Sequence, residues 1–237
     1  MKAASRSITG RRDNNEDASC ARPDLGLYVV ADGMGGHEGG EIASRVVVDT
    51  LVGFFERAGK APAPELAAER MELAIRMARA EVRRLAVGAL SDMGTTLVAM
   101  LQLAPDRALI AHLGDSRAYR MRGTTVDALT RDHSFVAELD AVGASRLVAQ
   151  LPVAFTALVT RCISARMDAP PELQLVDIAP GDAFVLCSDG LSDVLDDADL
   201  AATLHSATDP RAAANRLVDA AFAAGSADNI TALVLQA

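Results

Sequence analysis

VVADGMGGHEGGE, residues 29–41, is the stretch on which the reading of this chain turns. The apolar run 27–31 stops at a carboxylate, Asp32, and a glycine turn from Gly33 to Gly36 follows at once. An apolar run ending in Asp-Gly reads as a buried strand that delivers a carboxylate at its tip. Glycines carry no Cβ, so the backbone can turn sharply there and a ligand can come close. The Gly33 carbonyl is then free to face the same ligand as Asp32. Carboxylate plus carbonyl suits a hard divalent cation. Most Asp-Gly pairs are plain turns, so the reading depends on whether the chain repeats the device.

Toward the C-terminus, residues 38–57 are helical in pattern, with Ile42, Val46, Asp49/Thr50 and Phe54 along one side and Val47, Leu51 and Phe55 beside them. So broad a stripe packs against a sheet. Gly59 and the run 60–64 stop it. Residues 65–85 then form a second amphipathic helix, with Met71, Ala74, Ile75, Ala78, Val82 and Leu85 inward. Its charges (Glu69, Arg70, Glu72, Arg76, Arg79, Arg83, Arg84) read as a solvated face.

After Gly88 the pattern turns to strand: 94–101, then hairpins at Pro105-Asp106 and Arg122-Gly123 around the tight turn GDSR, 114–117, which holds Asp115. Residues 134–171, broken by Pro152, Pro170 and Pro171, read as an irregular surface segment, a flap beside the site. Strands return at 173–178 and 183–187, and the second ends in Ser188-Asp189-Gly190. Helices over 196–205 and 210–224 follow, the latter opened by Asp209-Pro210. GSADN, 225–229, leads into a last strand, 230–236.

Toward the N-terminus, GRRDNNEDASC places Arg11 and Arg12 just before Glu16 and Asp17. That is either a solvated charged turn or a phosphate-binding guanidinium beside metal-binding carboxylates. Arginine's planar fork matches phosphate oxygens bidentately.

Runs of strands beside runs of helices predict a layered α+β fold, two sheets with helices outside, in a single domain over residues 1–237. Hydrophobic residues are 50% and charged residues 23% of the chain, as in a globular protein. Lys plus Arg number 23 against 32 Asp plus Glu, a net charge of −9. That balance argues against a nucleic-acid partner and an anionic membrane surface. No apolar run approaches the ~20 residues that span a bilayer, and the first residues lack a signal-peptide core. Cys20, Cys162 and Cys187 have no metal-type spacing and read as reduced thiols of a cytoplasmic protein.

Asp32, Asp189 and Asp228 each stand where an apparent strand meets a turn, and Asp115 stands within one. Several carboxylates converging at one end of a β core would be costly to bury without cations. Oxygen-only donors favour Mg²⁺ or Mn²⁺ over Zn²⁺, and two such ions can activate water and clamp a phosphoryl group.

The ordered set RRDNNEDA, ADGMGGH, MGTTLVA, GDSRAY, LTRDHS, CSDGL and DNIT resembles the bacterial metal-dependent type 2C protein Ser/Thr phosphatases over residues 6–236. The resemblance implies an α-β-β-α sandwich, two antiparallel sheets flanked by helices, with two Mg²⁺ or Mn²⁺ ions at one end. It implies that Asp32 bridges both ions, that Gly33 offers its carbonyl to one, and that Asp189 and Asp228 ligate the other. Glu16 and Asp17 would lie in or just behind the ligand set, and Asp115 with Asp189 would match a weaker third metal position. Arg12 would bind phosphate, by its distance from Glu16 and Asp17. The implied reaction is direct hydrolysis of phosphoserine or phosphothreonine by a metal-bridging water. His37 is the candidate general acid or, equally, a supporting residue; His112, His133 and His205 read as structural. The implied partners are a phosphorylated protein substrate and a Ser/Thr kinase whose work is reversed. Thr160-Arg161-Cys162-Ile163-Ser164 departs from the family pattern, with Ser164 where a glycine is usual.

Three other readings fit the same residues: a catalytically silent relative that binds a phosphorylated partner, a phosphatase for phosphotyrosine or small phosphomonoesters, and a structural metal site.

Overall fold

In the computed structural model, which describes residues 1–35, 39–59, 64–156 and 158–237, period-two alternation sorts the central strands between two interiors. The strands and helices are, in order, β1 (Lys2–Ile8), β2 (Asp17–Arg22), β3 (Leu27–Met34), α1 (Gly39–Ala58), α2 (Pro64–Leu85), β4 (Gly94–Thr95), β5 (Leu97–Ala104), β6 (Arg107–Leu113), β7 (Arg117–Arg122) and β8 (Thr125–Ala128). They continue with α3 (Phe135–Ala141), α4 (Val153–Thr156), β9 (Ile163–Ser164), β10 (Glu172–Asp177), β11 (Ala183–Cys187), α5 (Asp189–Ser192), α6 (Asp197–Ser206), α7 (Pro210–Ala223) and β12 (Ile230–Gln236). One sheet runs β1-β12-β11-β7-β8; the other runs β10-β6-β5-β3-β4-β9, with β2 also on β3, and every pairing is antiparallel.

Leu27, Val29 and Ala31 pack with α1 and α2, while Tyr28 and Val30 pack between the sheets. Val185 and Val234 likewise face α6 and α7, and Phe184, Leu186, Leu233 and Leu235 face inward between the sheets. Strands buried on both faces read as continuous apolar runs, which is why LYVVA and AFVLC show no polar alternation. The result is the four-layer α-β-β-α sandwich. Among the described residues no helix is long and apolar enough to cross a membrane.

Three details differ from the sequence reading. No strand was expected before residue 24, yet β2 pairs with β3 and β1 lies on the edge of the first sheet against β12. Its sequence, KAASRSI, has no fully buried position and little apolar signal. On α1 the fully buried row is Gly40, Ala43, Ser44, Val47, Leu51 and Phe55, while Ile42, Val46 and Phe54 pack part-buried against the same core. Small residues head that row because the helix start presses on Glu16: the buried Ser44 Oγ donates to the Glu16 carbonyl at 2.5 Å. Third, Arg79 is not solvated. It is 6% exposed, and it donates to Asp168 Oδ1 at 2.9 Å and the Ala169 carbonyl at 2.5 Å. It stands one turn beyond Ile75, so it shares the buried stripe and clamps the end of the 134–171 segment to α2.

That segment is built from short pieces: α3, capped where Ser134 Oγ accepts from the Ala137 N–H at 3.2 Å, a 3₁₀ turn at Ser145–Gln150, α4, and the two-residue β9. Cys162 and Cys187 are buried, Cys20 is half-buried, and all three are free.

Candidate metal centre

The alternation that builds the core also builds the site. Asp32 continues the inward row of Tyr28 and Val30, and Asp17 stands directly opposite it on β2. Thr231 continues the row of Leu233 and Leu235, and Ser188 that of Phe184 and Leu186. All four therefore meet between the sheets at one end. Asp17 Oδ2 accepts from Thr231 Oγ1 at 2.6 Å and from Ser188 Oγ at 2.8 Å. Its other oxygen, Oδ1, is buried without a partner, as is Asp189 Oδ1.

A cavity of about 490 Å³ opens at this end. Its carboxylates are Glu16, Asp32, Asp115, Asp189 and Asp228, with Gly33 among them and Arg12 at the side. Asp17 does not line it but sits behind Asp32. His37 lies outside the described residues. Of the adjacent arginines, Arg12 reaches the cavity and places Nη2 2.5 Å from Asp228 Oδ2, whereas Arg11 lies over the Phe222 ring of α7, 5.9 Å from its centroid.

Glycine is required where the walls meet. A Cβ on Gly33 would stand 2.1 Å from the Gly40 carbonyl oxygen and 2.6 Å from that of Glu16, and one on Gly40 would stand 1.9 Å from Glu16 Oε2. The glycine-rich stretch thus lets β3, α1 and the Glu16 loop converge.

The electrostatics are those of an unneutralised cluster. Burial, then the neighbouring carboxylates of Asp17, Asp189 and Asp115, push the Asp32 carboxyl well above its ordinary range. Burial raises Asp17 to about 7 against the pull of its Thr231 and Ser188 hydrogen bonds. Burial, then Asp189, raises Asp115 to about 7. Burial, then Asp193 and Asp228, raises Asp189 to about 6. Burial also raises Glu16, with Asn14 opposing. Ionised together, these groups repel, and among the described residues Arg12 is the sole cationic side chain in the cavity lining. Two orphaned buried carboxylate oxygens and an oxygen-only donor set fit hard divalent cations such as Mg²⁺ or Mn²⁺. Asp32, the Gly33 carbonyl, Asp189, Asp228, Asp115 and Glu16 could hold them.

One supporting residue, Asn229, was not singled out from sequence. Asn229 accepts from the Glu16 N–H at 2.8 Å and donates to the Thr9 and Asn14 carbonyls, both at 2.8 Å, so it fixes the loop that carries Arg12. Its place beside Asp228 in DNIT was the available signal. Thr96 and Ser116 form a buried hydroxyl pair at 2.6 Å. Thr96 Oγ1 also accepts from the Asp32 N–H at 2.9 Å. That chain ties the tip of β3 to the turn holding Asp115.

His112 and His133 stack with centroids 4.4 Å apart beside Glu172. The Gly114 N–H donates to His133 Nδ1 at 3.2 Å, which leaves that ring's proton on Nε2, facing Glu172 Oε2 at 3.3 Å. This spends the lone pair a metal would need, so the stack serves to brace Gly114, next to Asp115.

The catalytic domain of the Ser/Thr protein phosphatase PstP, in complex with two manganese ions, is 32% identical to this chain with a TM-score of 0.85, covering 98% of this chain and 96% of that one. PppA, described as a key regulatory component of the type VI secretion system in Pseudomonas aeruginosa, is 37% identical with a TM-score of 0.84, covering 99% of this chain and 96% of that one. Ser/Thr protein phosphatase PstP of Mycobacterium tuberculosis is 33% identical over 239 residues, 99% of this chain but 44% of that protein, so the chain spans less than half of this relative's length. The family model described as protein phosphatase 2C matches residues 6–223, and the chain belongs to that family.

Proposed function

We propose that the chain is a divalent-metal-dependent protein phosphatase that hydrolyses phosphoserine and phosphothreonine on proteins and so reverses a Ser/Thr kinase. The observation that carries this reading is the cluster of converging carboxylates at one end of the sandwich, with buried oxygens left without partners and an arginine at its edge. Bound divalent ions would supply an activated water and Lewis-acid charge for the phosphoryl group. Around them the chain's own residues have separate tasks. Asp32 would reach both ions from the strand tip; Asp189 and Asp228 would hold one, and the Gly33 carbonyl the other. Asp115 with Asp189 would offer a third, weaker position. Asp17 would orient Asp32 from behind, itself held by Ser188 and Thr231. Arg12 would leave Asp228 to grip the non-bridging phosphoryl oxygens. His37 is our candidate for protonating the departing Ser or Thr oxygen.

We place the activity in the cytoplasm, where kinase and phosphoprotein meet. The resemblance to PppA makes a phosphorylated component of a secretion system one substrate to try. The deciding experiment is hydrolysis of an aryl phosphate and a phosphothreonine peptide by purified protein with Mn²⁺, with Mg²⁺ and with chelator. Metal-dependent turnover of both, abolished in Asp32→Ala, is expected. Metal binding without turnover would return the reading to a silent phosphoprotein binder. A His37→Ala variant should slow phosphoserine more than the activated aryl ester; equal slowing would remove the general-acid role.

A further inference from the structure

Ten large apolar side chains are exposed among the described residues, and Val142, Leu147, Phe155 and Leu158 all fall in the 134–171 segment. One of these, Leu158, stands at the carboxylate cavity. Leu158 and its neighbour Val159 line its wall. The Leu158 carbonyl accepts from the Phe135 N–H at 2.9 Å, Val159 bridges to Ser134, and the Phe135 and Phe155 rings are 5.9 Å apart. An apolar strip therefore runs from the cavity wall outward, with Leu158 44% and Phe155 45% exposed at its edge. None of the site's metal-holding or phosphate-gripping residues lies on it.

We infer that this strip is a specificity surface that docks an apolar side chain within two residues of the phosphorylated Ser or Thr. The inference rests on the phosphatase reading and names the substrate class of that site. A phosphate presented to the carboxylate end must arrive on a polypeptide, and an extended chain advances ~3.3–3.6 Å per residue. The residues flanking the phosphorylated one thus meet the rim of the cavity. On the Leu158–Phe155 side that rim presents exposed apolar side chains, and burial of apolar surface is the interaction they offer. Acidic flanks gain nothing from it and meet the field of a chain carrying −9. The occupant is accordingly a substrate segment with Leu, Val, Ile or Phe next to the phosphoresidue.

The test compares two phosphothreonine peptides, identical except that the two positions on each side are apolar in one and Ser or Gln in the other, with Mn²⁺ present. The apolar peptide should show a kcat/KM about tenfold higher, carried by KM. Phe155→Ser should lose most of that preference and Phe155→Leu keep it, with aryl phosphate hydrolysis unchanged in both. Equal turnover of the two peptides by the unaltered protein, or a preference that survives Phe155→Ser, overturns the inference without touching the phosphatase reading. Absence of turnover on peptides and aryl phosphate alike overturns both.

Discussion

Strand β11 has an aspartate at each end, and the two live under opposite conditions. Asp182, just before the strand, is 2% exposed. Arg122 donates to it through Nε at 2.9 Å and Nη2 at 2.7 Å, and the Ala179 N–H donates at 2.8 Å. Burial alone would raise its pKa, but these bonds and the Arg122 charge outweigh it, and the net shift is downward. Asp189, just after the strand, exposes more of its own surface, yet burial within the carboxylate cluster, then Asp193 and Asp228, pushes it up to about 6. Its surroundings are Asp193, Asp228 and Asp32, and its Oδ1 has no partner. Burial raises both carboxyls; what differs is the neighbouring charge, Arg122 at Asp182 and further carboxylates at Asp189. The protein neutralises the charge at one end of β11 and leaves it open at the other.

The largest effect should come from making the open end resemble a closed one. Asp189→Asn is expected to lower Mn²⁺-dependent hydrolysis by ~10³-fold, through loss of a charge that would hold the ions. The same variant should melt at a higher temperature than the unaltered protein in chelator at pH 8, because one repelling carboxylate is gone. A variant that loses activity and metal-free stability together would show that Asp189 is a structural group like Asp182.

At the closed end the pattern should invert. Asp182→Ala removes three hydrogen bonds, so a destabilisation of about 2 kcal/mol is expected, or a Tm lower by about 5 °C. kcat should not change. Thermal melts with parallel turnover assays decide it, and a large fall in kcat at unchanged Tm would break the comparison from this side.

A pH series sharpens it further. The raised carboxyls of Asp17, Asp115 and Asp189 take up protons more readily in the folded than in the unfolded chain. Their contribution is fully present below the unfolded value near 4 and is lost as pH climbs through about 6 to 7. His112, pushed down to about 4 by burial and then by His133, and His133, lowered by burial, oppose this slope. Metal-free protein should therefore lose several degrees of Tm between pH 5 and 8, and saturating Mn²⁺ should abolish the loss. A metal-free Tm that rises over that interval would mean the cluster is already compensated.

This contrast was half legible in the sequence. Asp32 and Asp189 announced themselves because each follows an apolar run and precedes glycine, a local pattern. The extents of β11 and β12 were legible for the same reason, being apolar runs with sharp polar ends. Asp182 was invisible: its partner Arg122 is 60 residues away, and pairing across β7 and β11 is a property of register, which a single sequence does not carry. Arg79 could have been placed, since it repeats one turn after Ile75, but residue type outweighed spacing in the reading. The 134–171 segment resisted because α3 has seven residues, α4 four and β9 two, each too short for a period to show.

The smallest effect concerns what keeps the open end in shape. Uncompensated carboxylates drift apart unless their backbones are fixed, and the Thr96–Ser116 hydroxyl pair joins the tip that bears Asp32 to the turn that bears Asp115. Ser116→Ala should cost about 1 kcal/mol, seen as a Tm lower by about 3 °C, with kcat reduced about threefold. Thr96→Val removes the other half of the pair and also the acceptor for the Asp32 N–H, so it should cost more. If the pair acts as one brace, the double variant should fall short of the sum of the two single costs by roughly 1 kcal/mol. Additive costs would mean that the two hydroxyls serve Asp32 and Asp115 separately, and that the open end is held by its glycine contacts and the Asn229 clamp instead.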